Sequence, residues 1–245
     1  MLQQAFFSEV LGTGVLILLG TGLNANMSLR GTKGFGKNWL LVSLGWGLAV
    51  FTGIFVAVDS GAHLNPAVTL GKLLAGQPFH EAADGAVLDP SVVGALTYTA
   101  AQLLGAFLGA CLAWLAYKQQ YDQPAEPGVI LGTFSTGPEL RSVPWNLVTE
   151  VIGTFVLVFW VLINHQTPHQ LGPLAVALVV VAIGAGLGGP TGYAINPTRD
   201  LGPRLAHAVL PIPHKGGSDW GYSWIPVVGP LAGAALAAGT ALVWV

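Results

Sequence analysis

Six apolar runs dominate this chain: Ala5–Leu23, Trp39–Val58, Val92–Tyr117, Trp145–Ile163, Leu171–Leu187 and Trp224–Val245. A helix of about 20 mostly apolar residues crosses the roughly 30 Å of hydrocarbon in a bilayer. Backbone at that depth has no water to bond, so such runs must be helical. Only 8% of the 245 residues are charged, against about 25% in soluble chains, too few to cover a soluble surface. Trp39, Trp46, Trp145, Trp220 and Trp224 stand near run ends, where interfacial indoles belong. The first run contains Glu9, follows no basic segment and precedes no small-residue cleavage site, so it reads as a span and not a signal peptide. The class is a polytopic, all-α membrane protein. A net charge of −2 and an isoelectric point near 6.3 leave no basic face for nucleic acid. The single Cys111 excludes an intramolecular disulfide and a cysteine metal cluster.

Two further segments, Asn65–Leu74 and Asn196–Val209, read as helices too short to span, and each opens with Asn-Pro. Asparagine caps a helix start, and proline at the first helical position loses no needed hydrogen bond. The polar connectors are Asn24–Asn38, Gln77–Ser91, Lys118–Pro144, Asn164–Gln170 and Pro211–Tyr222. Across the longest of them the chain repeats itself. SEVLGTGVLIL from Ser8 matches TEVIGTFVLVF from Thr149, and SGAHLNPA from Ser60 matches TGYAINPT from Thr191. The expected organisation is one domain, 1–245, with a first repeat over 1–117, a connecting loop over 118–144 and a second repeat over 145–245. Three spans per repeat is an odd number, so the second copy enters from the opposite side as an inverted repeat. The two half-helices then dip in from opposite faces and their starts meet near the midplane. Irregular backbone there is tolerated only where it is buried in protein or lines a watery cavity.

Half-helix starts carry partial positive charge and unpaired N–H groups, to which Asn65 and Asn196 add amide donors. The preceding segments Gly61, Ala62, His63 and Gly192 to Ala194 would present carbonyls as a row of acceptors. Donors at the centre and acceptors along one wall suit a neutral, hydroxyl-bearing solute, and they offer an ion no full substitute for its hydration.

NPAVT at Asn65 and NPTRD at Asn196 resemble the paired signature of the major intrinsic proteins, the aquaporins and aquaglyceroporins, and the likeness extends over essentially the whole chain. Arg199 and Asp200, Arg204 beyond them, and Pro230-Leu231 in the last span resemble the glycerol-conducting branch. The resemblance implies six spans plus two re-entrant half-helices and a passive channel for glycerol and other small uncharged solutes, with some water flow. It implies central motifs at Asn65, Pro66, Ala67 and Asn196, Pro197, Thr198, and a narrow filter of Trp46, Gly184, Tyr193 and Arg199. In that filter Gly184 leaves open the space a histidine fills in water-selective relatives, Trp46 and Tyr193 form an apolar corner, and Arg199 donates to hydroxyls and repels cations. It further implies a homotetramer in the cell membrane, cytoplasmic termini and no cofactor. Three departures stand out: Thr198 replaces alanine, Tyr193 stands where phenylalanine is usual, and the stretch from Trp46 to Asn65 is one residue short.

Other residues admit other chemistry. Glu9 and Glu150 lie inside spans, where an acid is by default functional. One reading is proton coupling in a transporter. The other, favoured by the resemblance, is structural support of the loops beside the half-helices, with Asp200 pinning backbone in the same way. His165 and His169 have helical ligand spacing, but Pro168 between them removes the helix and leaves loop histidines. His63 orients its loop or senses acid; His207 packs; Asp59 is solvated. The glycine run Gly184–Gly192 lacks a P-loop lysine and suits close helix packing. No nucleophile or metal constellation supports an intramembrane enzyme. Within the channel reading, water or an undissociated acid such as lactic acid is the alternative cargo. Arg30, Lys33 and Lys37 lie in the first connector, with Lys72 on the family's cytoplasmic side, so charge alone favours the opposite orientation.

Overall fold

The structure, a computed structural model, describes residues 1–36, 38–166 and 170–244. Lys37, and His169 of the histidine pair, lie outside the described residues. Among the described residues ten α-helices run in the order α1 (Leu2–Ser28), α2 (Trp39–Val56), α3 (Pro66–Leu74), α4 (Val92–Ala116), α5 (Lys118–Tyr121), α6 (Pro127–Phe134), α7 (Val143–Ile163), α8 (Pro173–Leu187), α9 (Pro197–Val209) and α10 (Ile225–Trp244). A two-residue hairpin, His80–Glu81 with Val87–Leu88, follows α3.

Local chemistry sets the starts. Asn38 caps α2 through Leu41 N–H, and Ser91 caps α4 through Gly94 N–H. Asn65 and Asn196 cap the two half-helices α3 and α9, each with proline at the first position. Among the described residues five helices, α1, α2, α4, α7 and α10, are long and apolar enough to cross a membrane. The fifth predicted span is shorter than expected: α8 has 15 residues, about 22 Å of helix, because Pro173 at its start disfavours helix in the residue before it and Gly172 there has a φ of +52°.

Glycines let the spans approach. A Cβ at Gly105 of α4 would stand 2.3 Å from the Val10 carbonyl oxygen of α1, and one at Gly233 of α10 would stand 2.5 Å from that of Val151 on α7. Val10 and Val151 follow Glu9 and Glu150, so both repeats use the same close contact, the kind that replaces hydrophobic driving force inside a membrane. The half-helices pack across the repeats. Gly202 of α9 lies against Ala106 of α4, and Gly71 of α3 against Val158 of α7.

The segment 118–144 differs from the polar connector read from sequence. It contains α5 and α6 and buries Tyr121, Ile130 and Phe134 completely or nearly so. The apolar stretch Val129–Phe134, started by Pro127, forms a helix and packs inward, contributing to the same core as Trp46 and Tyr193.

Candidate functional site

The chain approaches each half-helix in an unusual conformation. Gly61, Ala62 and Leu64 have φ of +76°, +52° and +54°, and Gly192, Tyr193 and Ile195 have +80°, +39° and +44°. Left-handed backbone at a non-glycine residue costs of order 1–3 kcal/mol and persists only where its surroundings enforce it. Here two buried carboxylates do so. Glu9 accepts from His63 N–H (2.8 Å), Leu64 N–H (2.7 Å), Ser60 Oγ (2.6 Å) and Gln102 Nε2 (2.7 Å). Glu150 accepts from Ala194 N–H (3.0 Å), Ile195 N–H (2.9 Å) and Thr191 Oγ1 (2.6 Å). With the N–H groups turned onto the carboxylates, the carbonyls of Gly61, Ala62, His63, Gly192 and Ala194 have no donor among the described residues.

The two half-helix starts hold each other. Asn65 Nδ2 donates to the Ile195 carbonyl and Asn196 Nδ2 to that of Leu64, both at 2.8 Å. One N–H per amide is thereby used and one remains. The Asn65 oxygen accepts from Ala67 N–H at 2.8 Å, and the Asn196 oxygen from Thr198 N–H at 3.0 Å. Thr198 adds a hydroxyl bond to that oxygen at 2.9 Å, which Ala67 cannot supply in the first motif. His63 is fully engaged: Nδ1 pairs with Thr69 Oγ1 (2.9 Å) and Nε2 with the Phe79 carbonyl (3.0 Å), tying its loop to α3 and the hairpin.

A cavity of about 280 Å³ is lined by Trp46, Tyr193 and Arg199, by Asn65 and Asn196, and by Lys72, Asn164, Gly172 and Pro173. Neither Glu9 nor Glu150 borders it. The Arg199 guanidinium lies over the Trp46 ring, 3.8 Å from its centroid, and donates to the Phe134 carbonyl at 3.0 Å. Trp46 in turn donates to Asn24 Oδ1 at 3.2 Å. The short spacing before Asn65 therefore leaves Trp46 beside Arg199.

Gly184 departs from the expected arrangement. It does not border the cavity, and a Cβ there would stand 2.8 Å from Tyr193 Cζ. The space it leaves is filled by the tyrosine ring. The tyrosine hydroxyl lies 3.5 Å from the Val42 carbonyl of α2.

Next to Arg199, Asp200 and Arg204 fasten α9 to Thr136 and Ser218, two partners the sequence did not mark. Asp200 Oδ2 accepts from Thr136 N–H (2.8 Å) and Oγ1 (2.7 Å). Arg204 Nε donates to Asp200 Oδ1 at 2.7 Å with both side chains fully buried, and its Nη2 and Nη1 reach the carbonyls of Thr136 and Ser218, both at 2.8 Å. Lys215 donates to the carbonyls of His207 (2.8 Å), Ala208 (2.8 Å) and Leu210 (2.6 Å) at the end of α9. His207 is buried, with Nδ1 2.8 Å from Ser218 Oγ, and Asp59 is exposed. No group of three or more metal-ligating side chains occurs among the described residues.

A mostly helical membrane protein whose two half-helices meet start to start around an internal cavity has the inverted-repeat architecture of a transmembrane passage. The chain belongs to the major intrinsic protein family, whose profile matches residues 1–241. It is 48% identical over 241 residues to glycerol uptake facilitator protein 3 of Lactiplantibacillus plantarum, covering 97% of this chain and 95% of that one. It is 46% identical to the glycerol uptake facilitator protein of Streptococcus pneumoniae strain R6, with 96% and 97% covered. Among solved structures, the aquaglyceroporin from Plasmodium falciparum superposes with a TM-score of 0.77 at 31% identity, over 98% of this chain and 95% of that one.

Proposed function

We propose that this integral membrane protein is a passive channel for glycerol and similar small uncharged solutes, with some water flow. The observation that carries the reading is the cavity wall where the Arg199 guanidinium lies on the face of Trp46 beside Tyr193. A polyol has one carbon edge and one hydroxyl edge. The rings meet the first, and Arg199, with the free Asn65 and Asn196 amide hydrogens beyond it, donates to the second. Opposed half-helix starts and the Arg199 charge exclude cations and protons. Glu9 and Glu150, off the passage and occupied by loop donors, act as supports, as Asp200 does. The relatives named glycerol uptake facilitators support the same cargo. We further read the assembly as a homotetramer with cytoplasmic termini, to be checked by native mass spectrometry and a C-terminal topology reporter.

Stopped-flow light scattering on proteoliposomes tests the cargo. Glycerol entry severalfold faster than in empty vesicles, unaffected by an imposed pH gradient, is expected. Fast water or lactic acid flux with negligible glycerol flux overturns the polyol reading, and pH-driven accumulation overturns passivity. A Gly184→His variant is expected to lose glycerol and water flux together, because an imidazole has nowhere to go unless Tyr193 is pushed into the passage. Water flux surviving intact while glycerol flux falls would show that the tyrosine yields outward instead.

A further inference from the structure

Trp39 opens α2 and is half exposed, so by position it is an interfacial tryptophan. Its contacts say more. Its indole N–H donates to the Gly184 carbonyl at 2.9 Å, and its ring meets that of Tyr193 edge to face, 5.9 Å between centroids at 79°. Gly184 and Gly188, one helical turn apart, form the floor of the slot in which Tyr193 lies. A Cβ at Gly188 would stand 2.5 Å from Tyr193 Cδ1, 2.6 Å from the Gly184 carbonyl oxygen that accepts from Trp39, and 2.7 Å from Trp39 Cζ2. Tyr193 carries a φ of +39°, so its ring direction depends on being held. The ring is thus enclosed by two glycines and Trp39 while it also borders the cavity beside Arg199. Trp39 itself does not border the cavity.

We propose that Trp39 is a specificity-determining positioning residue: it latches Tyr193 into the Gly184–Gly188 slot and so sets the width of the passage facing Arg199, and with it the largest polyol admitted. The inference rests on the channel reading above. A tryptophan suits the task because one side chain supplies both a ring edge for Tyr193 and an N–H for the helix that carries the slot. Removing the latch vacates space behind the tyrosine ring and lets it withdraw, widening the passage. Filling the slot from below pushes the ring the other way.

The test compares permeability to glycerol, erythritol and ribitol, three-, four- and five-carbon polyols, in proteoliposomes of wild type, Trp39→Ala, Trp39→Phe, Gly188→Ala and Trp145→Ala. Trp145 is another exposed tryptophan at a helix start and reports a purely interfacial role. The erythritol-to-glycerol ratio is expected to rise severalfold in Trp39→Ala, rise less in Trp39→Phe, which keeps a ring edge but no N–H, fall in Gly188→Ala, and stay unchanged in Trp145→Ala. Ratios are read only on variants that elute as wild type does, and Trp39→Phe serves if Trp39→Ala does not fold. Wild-type size selectivity in both Trp39→Phe and Gly188→Ala, or an equal shift in Trp145→Ala, overturns the proposal while leaving the channel reading intact. Wild-type glycerol flux no faster than in empty vesicles overturns both.

Discussion

An Asp200→Ala protein is expected to lose roughly 3–5 kcal/mol of stability, the usual cost of removing one partner from a buried ion pair. Arg204 and Asp200 are both fully buried, so the guanidinium left behind would be an uncompensated charge with the carbonyls of Thr136, Ser218 and Asp219 to receive it. Thr136 N–H and its hydroxyl would lose their acceptor as well. Asparagine should rescue little, because its NH₂ would face either the arginine or the Thr136 N–H, donor against donor. A double replacement by apolar residues of similar volume, Asp200→Leu with Arg204→Met, should recover part of the loss, since it leaves no charge unpaired. Thermal unfolding of the detergent-solubilised proteins measures this. A wild-type melting temperature for Asp200→Ala would mean that the segment 118–144 is fastened to α9 by something other than this pair.

Glu9→Ala is the second large effect, and Glu150→Ala should match it. Removing Glu9 orphans the N–H groups of His63 and Leu64 and one N–H of Gln102, while the Ser60 hydroxyl keeps the Ala57 carbonyl and Gln102 keeps Thr69 Oγ1. Removing Glu150 likewise orphans three donors, those of Thr191, Ala194 and Ile195. Each buried donor left without a partner costs about 1–3 kcal/mol. The left-handed residues Ala62 and Leu64 would also lose what enforces them. The expected outcome is a strongly and similarly reduced amount of monodisperse protein from Glu9→Ala and Glu150→Ala, read by size-exclusion chromatography. Glu9→Gln keeps one acceptor oxygen and should fall between wild type and Glu9→Ala. A well-folded Glu9→Ala protein with wild-type solute flux would show that the approach to α3 is held by other contacts.

Much of this architecture was legible before any coordinates. Asn65 and Asn196 announced the half-helices because capping is local: the asparagine, the proline after it and the N–H it satisfies lie within a few residues. Glu9 and Glu150 were legible as a pair through the repeat, although their loop donors lie some fifty residues away in the first repeat and some forty in the second. The bracing of Arg199 was not legible. Its partner is the backbone carbonyl of Phe134, and a carbonyl is present at every residue, so no side-chain pattern marks it. Thr136 was missed for a related reason: it lies in a segment rich in proline and polar residues, and nothing short of its 2.7 Å contact to Asp200 shows what its hydroxyl does.

The sequence by itself determined the solvent this chain folds in, the number of apolar runs, the inverted order of the two halves and the places where two helices start halfway. These depend on composition, period and capping, which short stretches carry complete. Tertiary structure alone decided what fills the space beside Gly184. A missing side chain leaves room without saying for whom, and the answer came from the left-handed backbone at Tyr193 and the indole of Trp39, 154 residues away along the chain from that tyrosine.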